Sequence, residues 1–290
     1  MMIARTTQLF ASYGVLLAAL ACSEQRVTVH QVTQNNDAGD AAVTTADVTE
    51  DVRESPPCPS DMLLVNGDFC PVVAQTCKRW VTNDGKTLPP PESGIGGRCA
   101  EWARPVKCLS KTLEKKRFCV DRYEFPNIDG LVPQSWMSWH DVKRECENLG
   151  KRMCTKSEWT FACEGRQMQP YPYGEGYVRD KTACNFDHPI PNLNAFEAKS
   201  RDDKIGARLE AYLVKSGEMT RCVSPFGMRD SVGNLDEWVV NETGVPFKSA
   251  LVGGHIFGFR NACRPMTDAH DETFHWYETG GRCCLSVNDD

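Results

Sequence analysis

No two cysteines in this chain are separated by only two residues, and no group of four has zinc-finger spacing, so a zinc site of that kind has no support. Lysine and arginine (33) are outnumbered by aspartate and glutamate (39), a net charge of −6, which removes the basis for nucleic-acid binding through a basic face. The apolar stretch Leu9 to Ala21 is far too short to span a bilayer. Aromatic residues are missing altogether from Ser23 to Pro57. There is no internal repeat. Long regular elements are scarce, because Gly, Pro and Asn recur every few residues from Pro170 onward.

What is present begins with a leader. Behind Arg5, the run to Ala21 suits a secretory signal, and its ending "AALAC" resembles a bacterial lipoprotein signal. On that reading residues 1–21 are removed and Cys22 becomes the lipidated first residue. Ser23 after it resembles lipoproteins sorted to the outer membrane. The alternative is an ordinary signal peptide cleaved after Ala21. The expected location is the bacterial cell envelope, facing periplasm or cell surface, with the membrane engaged through the N-terminal lipid. Residues 22–57 follow as a tether. Between Ser23 and Pro57 seven acidic residues stand against Arg26 and Arg53, and without aromatics the segment cannot bury enough apolar surface to order. As a flexible coil it reaches on the order of 30 Å.

Fifteen cysteines in an exported chain read as a disulfide framework, and setting Cys22 aside leaves an even fourteen. Residues 58–117 form a cysteine-rich N-terminal cap, and residues 118–290 a longer body. Two helices are predicted in that body. Ser138 is an N-cap for "WHDVKRECENL", whose Trp139, Val142, Cys146 and Leu149 share one face, with Gly150 beyond the end. Thr155 and Glu158 form a capping box for a second helix that runs through Trp159 and Cys163 to Gly165.

"FCVDRYEFPN" (118–127), "GKRMCTKSEWTFACEG" (150–165), "YPYG" (171–174), "SPFGMRDSVGNLDEWV" (224–239), "VGG" (252–254) and "GGRCC" (280–284) occur in that order. Together they resemble the formylglycine-generating enzyme, or sulfatase-modifying-factor, family. The resemblance implies an α+β, C-type-lectin-like fold, loop-rich and stapled by disulfides. Active members bind copper through two cysteines and oxidise a substrate cysteine with oxygen; others use iron, and others are non-catalytic.

The copper loop departs from the family pattern. His255 stands where the enzymes have a serine after the glycine pair Gly253-Gly254. Counted forward from the glycines, Gly258 falls on the first copper position and Cys263 on the second. Counted back from "GGRCC", Cys263 is instead the structural third cysteine, paired with Cys163, and the loop is about five residues short. The second alignment accounts for more, since the resemblance also implies Cys146–Cys283. Either way the thiolate pair that suits Cu(I) is incomplete. Cys184 and Cys222 flank the divergent segment that follows "ACNFD", and a bridge between them is a conjecture. His270 and His275, with Asp268, Asp271 and Glu272, read as a solvated loop rather than an iron site. Arg260 and Arg264 could form a small anion patch beside His255.

The resemblance implies a structural calcium site on the side chains of Asp230 and Glu237 and the carbonyls of Gly233 and Leu235, with a second beginning at Asn185 and Phe186. Copper and iron are not expected. The reading is therefore a lipid-anchored binding or scaffolding module without the copper pair, leaning away from an enzyme, with an unidentified protein or carbohydrate ligand. Tyr171, Tyr173 and Tyr177 would be the exposed aromatics for a sugar. The alternative is a metal- and oxygen-dependent oxidase of cysteine-containing peptides, with Cys263 and His255 as its candidates.

Overall fold

Ser138 and Thr155 start two helices by the same device. The hydroxyl of each accepts from the amide three residues on, and the acidic side chain there, Asp141 or Glu158, accepts the cap's own amide. Both boxes satisfy orphan donors at a helix start. The computed structural model describes residues 56–82, 86–88, 98–189, 203–258 and 260–287. The expected signal segment, Cys22 and nearly all of the tether lie outside the described residues. In chain order the elements are β1 (Met62–Phe69), β2 (Val73–Ala74), β3 (Cys77–Val81), β4 (Thr87–Leu88), β5 (Arg98–Trp102), β6 (Lys107–Cys108) and β7 (Glu114–Asp121). Then come α1 (Trp139–Asn148), β8 (Arg152–Met153), α2 (Lys156–Glu164), α3 (Asp203–Glu210), β9 (Asp236–Val240), β10 (Ser249–Val252), β11 (Met266–Thr267), β12 (Thr279–Gly280) and β13 (Cys283–Ser286).

Two four-stranded sheets carry the body. One has the order β1-β7-β13-β8, the other β11-β10-β9-β12, and the two-stranded β2-β6 and three-stranded β4-β3-β5 sheets lie outside them. β1 and β7 pair antiparallel along eight residues each, from Met62 opposite Asp121 to Phe69 opposite Glu114. β9, "DEWVV", is buried along nearly its whole length because β10 and β12 flank it on both edges. The boundary expected at residue 118 falls inside β7, and β1 of the expected cap is a strand of the main sheet. From Glu54 onward the chain is one compact unit. The reason is register: an eight-residue antiparallel pairing with β7 buries Val65 and Phe69 in the same core as Trp159 and Phe161.

α1 buries one stripe, Trp139, Val142 and Cys146, while α2 is buried on almost every side. An all-round buried helix lies at the centre of a domain, and α2 accordingly meets β1, β7 and β9. Cysteine bridges fasten this arrangement. The fourteen cysteines from Cys58 onward form seven disulfides: Cys58–Cys119, Cys70–Cys108, Cys77–Cys99, Cys146–Cys283, Cys154–Cys284, Cys163–Cys263 and Cys184–Cys222. Successive residues of a strand face opposite ways. Adjacent Cys283 and Cys284 on β13 therefore reach different partners, α1 through Cys146 and the β8–α2 link through Cys154.

The tyrosines expected to be exposed are core residues instead. Tyr171 and Tyr173 stack ring on ring, and with Tyr177 they are buried. The Tyr171 hydroxyl donates to the Cys99 carbonyl at 2.5 Å, and the Tyr173 oxygen accepts from the Asp180 amide at 3.0 Å. Buried phenols find polar partners, and here strand β5 and the 180 loop supply them.

Candidate functional site

The loop after β10 turns through Gly253 and Gly254, whose φ values of 87° and 69° lie in the left-handed region. A Cβ on Gly253 would stand 2.7 Å from the Ser231 carbonyl oxygen, and one on Gly254 2.7 Å from Asn261 Nδ2. Only glycine fits that turn. His255 follows, its Nε2 3.4 Å from Glu278 Oε2 and its ring edge-on to Phe257 and Tyr277. Its Nδ1 is buried and has no hydrogen-bond partner among the described residues. Asn261 Nδ2 donates to the His255 carbonyl at 2.8 Å and closes the loop on itself.

Cys263, at the end of that loop, is bonded to Cys163 of α2, and both are fully buried. A disulfide sulfur is not a thiolate and offers no soft ligand to Cu(I). Among the described residues every cysteine is paired in the same way. The loop is also braced from outside. Arg98 of β5, 2% exposed, donates to the Gly258 carbonyl at 3.2 Å and pairs with Asp187 at 2.7 Å. Arg179 holds Asp187 through two contacts of 2.7 Å and also donates to Asn261.

Arg260 and Arg264 do not form a shared patch. Arg260 Nη2 pairs with Asp236 Oδ2 at 2.6 Å, and the other Asp236 oxygen accepts the Gly254 amide. Arg264 instead forks onto Glu164 through two contacts of 2.6 Å and reaches the carbonyls of Cys70 and Pro71. Burial pushes the Glu164 carboxyl up to about 7 against the pull of that guanidinium. His270 stacks on Phe274, and His275 is engaged with the Thr273 carbonyl on an exposed turn. Glu272 accepts the Lys248 amide, Asp271 caps Thr273, and the histidines and carboxylates of this turn form no group of three placed to hold a metal.

The segment expected to hold calcium lies deeper. Asp230, Gly233, Leu235 and Glu237 are all buried, and Asn185 and Phe186 pack directly on Gly233. The segments expected to begin two separate ion sites are thus in contact: Asn234 donates its amide to the Asn185 carbonyl at 2.8 Å, and their side chains bond at 2.8 Å. Two residues not foreseen complete the group. Glu124 accepts from Asn234 Nδ2 at 2.7 Å and from the Leu235 amide at 3.1 Å. Arg282 forks onto Glu237 through two contacts of 2.6 Å, and Trp159 donates its indole to the same carboxylate at 2.8 Å.

Three carboxylates therefore share one guanidinium in the interior. Burial, with the charges of Asp230 and Glu237, drives the Glu124 carboxyl well above its ordinary range. Burial also pushes Asp230 up to about 6, against the Gly217 amide that donates to it. Both shifts come first from burial, which disfavours the charged carboxylate. Carboxylate and carbonyl oxygens are the hard ligands that calcium takes. Glu237 differs from the expected pattern because most of its acceptor capacity is already used by Arg282 and Trp159. Glu124 was legible only as part of "FCVDRYEFPN", and Arg282 only as part of "GGRCC".

Comparison with known proteins matches residues 65–284 to the family described as sulfatase-modifying factor enzyme 1-like domain. The inactive C-alpha-formylglycine-generating enzyme 2 of Bos taurus is 25% identical over 156 residues, covering 49% of this chain and 39% of that protein. The uncharacterized protein YfmG of Bacillus subtilis (strain 168) is 23% identical over 210 residues, covering 64% of this chain and 41% of that protein. The chain spans about two-fifths of the length of these curated relatives. Among solved structures, CarF aligns with a TM-score of 0.47 at 14% identity, over 79% of this chain and 99% of that one. PvdO from Pseudomonas aeruginosa aligns with a TM-score of 0.44 at 16% identity, over 79% and 95%.

Proposed function

The chain belongs to the sulfatase-modifying factor enzyme 1-like domain family, and we propose that within it this member is a non-catalytic, calcium-stabilised binding or scaffolding module carried on a lipid anchor in the cell envelope. The observation that carries the non-catalytic part is the Cys163–Cys263 bridge. It takes up the one cysteine of the altered loop, so the soft two-thiolate site that Cu(I) favours cannot be assembled there. The bovine relative bears the word inactive in its own name, which accords with this. The oxidase alternative rests on His255 of the altered loop, paired with Glu278.

Calcium enters as the charge partner of the buried carboxylates. Asp230 and Glu124 would supply side-chain oxygens, Gly233 and Leu235 carbonyls, and Glu237 the oxygen sites that Arg282 and Trp159 leave. Bound there, the ion would fasten loops and take no part in turnover.

One set of assays on the purified mature chain tests both parts. Incubated with copper, oxygen and a cysteine-containing peptide, the chain is expected to form no aldehyde from the peptide cysteine beyond a protein-free control. Copper-dependent conversion of that cysteine to an aldehyde would overturn the reading. Calcium at a hundredfold excess over its dissociation constant is expected to add about 2.7 kcal/mol of stability. Asp230→Asn should remove most of that gain, and an unfolding midpoint indifferent to calcium would sink the structural-ion proposal. The anchor is tested separately: Cys22→Ser should move the chain from the membrane fraction to the soluble fraction of an expressing bacterium, and continued membrane association would count against lipidation.

A further inference from the structure

A cavity of about 630 Å³ opens where β5 and the residues following it meet the "YPYG" loop. It shares no lining residue with the altered copper loop or the buried carboxylates, and neither the disulfide nor the calcium argument uses it. We propose that it is a binding site for a neutral, polyhydroxylated small molecule, a saccharide of two to three units.

The volume is within the range of about 300–1,000 Å³ typical of small-molecule sites. Its walls are held before any ligand arrives. Ala183 and Arg221 on the rim stand next to Cys184 and Cys222, which are bonded to each other. The opposite wall is tied to β5 by backbone hydrogen bonds from Trp102 to Tyr177 and from Arg179 to Ala100. Such preorganisation lowers the cost of ordering a site on binding.

The lining chemistry selects the ligand class. Two ion pairs face the cavity, Arg104 with Glu175 and Arg221 with Asp180, the latter at 3.1 Å. All four side chains are more than a third exposed. Their charges cancel, so an anion would meet two carboxylates and a cation two guanidinium groups. A zwitterion would have to break an internal pair for each contact it made. A neutral polyol breaks neither. A guanidinium carries about five N–H donors and a carboxylate about four acceptor sites. Arg104, Glu175 and Arg221 keep most of theirs for a ligand, while Asp180 also accepts the amide and hydroxyl of Thr182 and serves mainly to hold Arg221. Planar groups of both kinds fork onto adjacent hydroxyls. Arg104 lies over the Tyr177 ring at 4.9 Å, which fixes its plane, and half-exposed Val178 offers an apolar surface to the C–H face of a sugar.

This site rests on the binding-module reading and fails separately from it: copper-dependent oxidation would overturn that reading without emptying the cavity, and absent saccharide binding would leave the disulfide argument intact. The test is calorimetric titration of the mature chain with maltotriose, cellotriose, mannotriose and N,N′-diacetylchitobiose, and in parallel with an alanine dipeptide and inorganic phosphate. At least one neutral oligosaccharide should bind at a single site. Its affinity should change by less than about twofold between about 0.1 and 0.5 M salt, since no net charge is paired. Glu175→Gln and Arg221→Gln should each weaken it by about tenfold or more, the scale of a lost hydrogen bond to a charged group, with the unfolding midpoint unmoved because both residues are exposed. The proposal is overturned if no neutral oligosaccharide binds at millimolar concentration, if only the dipeptide or phosphate binds, or if neither substitution changes the affinity.

Discussion

Replacing Cys163 and Cys263 together with alanine is expected to lower the stability of the domain by about 2–4 kcal/mol, and to do so with no change in reactivity toward copper. The bridge joins α2 to the end of the altered loop across a sequence separation of 100 residues. An isolated loop of that length would be worth about 4.7 kcal/mol on chain-entropy grounds, but Cys154–Cys284 and Cys184–Cys222 already shorten it, which keeps the expected loss in the lower range even with the small cavities left by two buried sulfurs. For a domain of this size the midpoint should fall by roughly 2–4 °C per kcal/mol. A non-reduced peptide map of the unmodified chain, alkylated while denatured, accompanies the measurement and should return the Cys163 and Cys263 peptides as one species. A Cys263 peptide carrying the alkylating label would reverse the interpretation, because a free thiol would then stand in the loop where active relatives hold their metal.

The parts of this molecule that were readable in the sequence are those whose physics is local or fixed by spacing. Ser138 and Thr155 announce their helices because a capping box needs only residues three apart, and the observed caps are these two. The pairing of Cys163 with Cys263 is what the family resemblance implies when the loop is aligned on "GGRCC". β1 was missed as part of the body because its place depends on β7, some fifty residues away, and a strand's partner leaves no mark in its own composition. The tyrosines misled for a related reason. "YPYGEGY" reads as a polar, glycine-rich loop, and only the packing of β5 over it makes a core of those rings. Arg98 left no local signal, and Glu124 none beyond its place in "FCVDRYEFPN": each is buried by elements remote in sequence, and each is defined by what it meets there.

Changing Arg282 to methionine is expected to be the more damaging substitution, at about 3–5 kcal/mol, the usual cost of leaving one member of a buried ion pair without its partner. Arg282 is 1% exposed, and it does more than answer Glu237. Its Nη2 donates to the Arg229 carbonyl at 2.9 Å, and its Nη1 to the carbonyls of Asp121 and Arg122 at 3.3 and 3.4 Å. One side chain thus joins the end of β7, the strand β9 and the 229 turn. Methionine fills similar space but leaves Glu237 with only the Trp159 indole, beside Glu124 and Asp230. Adding Glu237→Gln to the methionine variant removes one of those stranded charges and should recover part of the loss, so the two changes together should cost clearly less than their sum. Arg282→Lys, which keeps a charge but not the fork, should fall between the wild type and methionine and remain measurable if methionine prevents folding. Calcium sharpens the test. If the ion offsets the same buried charge, its stabilising effect should be larger in the Arg282→Met chain than in the wild type, because more negative charge is left for it to balance. Equal stability of the single and wild-type chains, or a double variant no better than the single, would mean that the carboxylates at this centre are protonated or solvated and that Arg282 is not what holds them together.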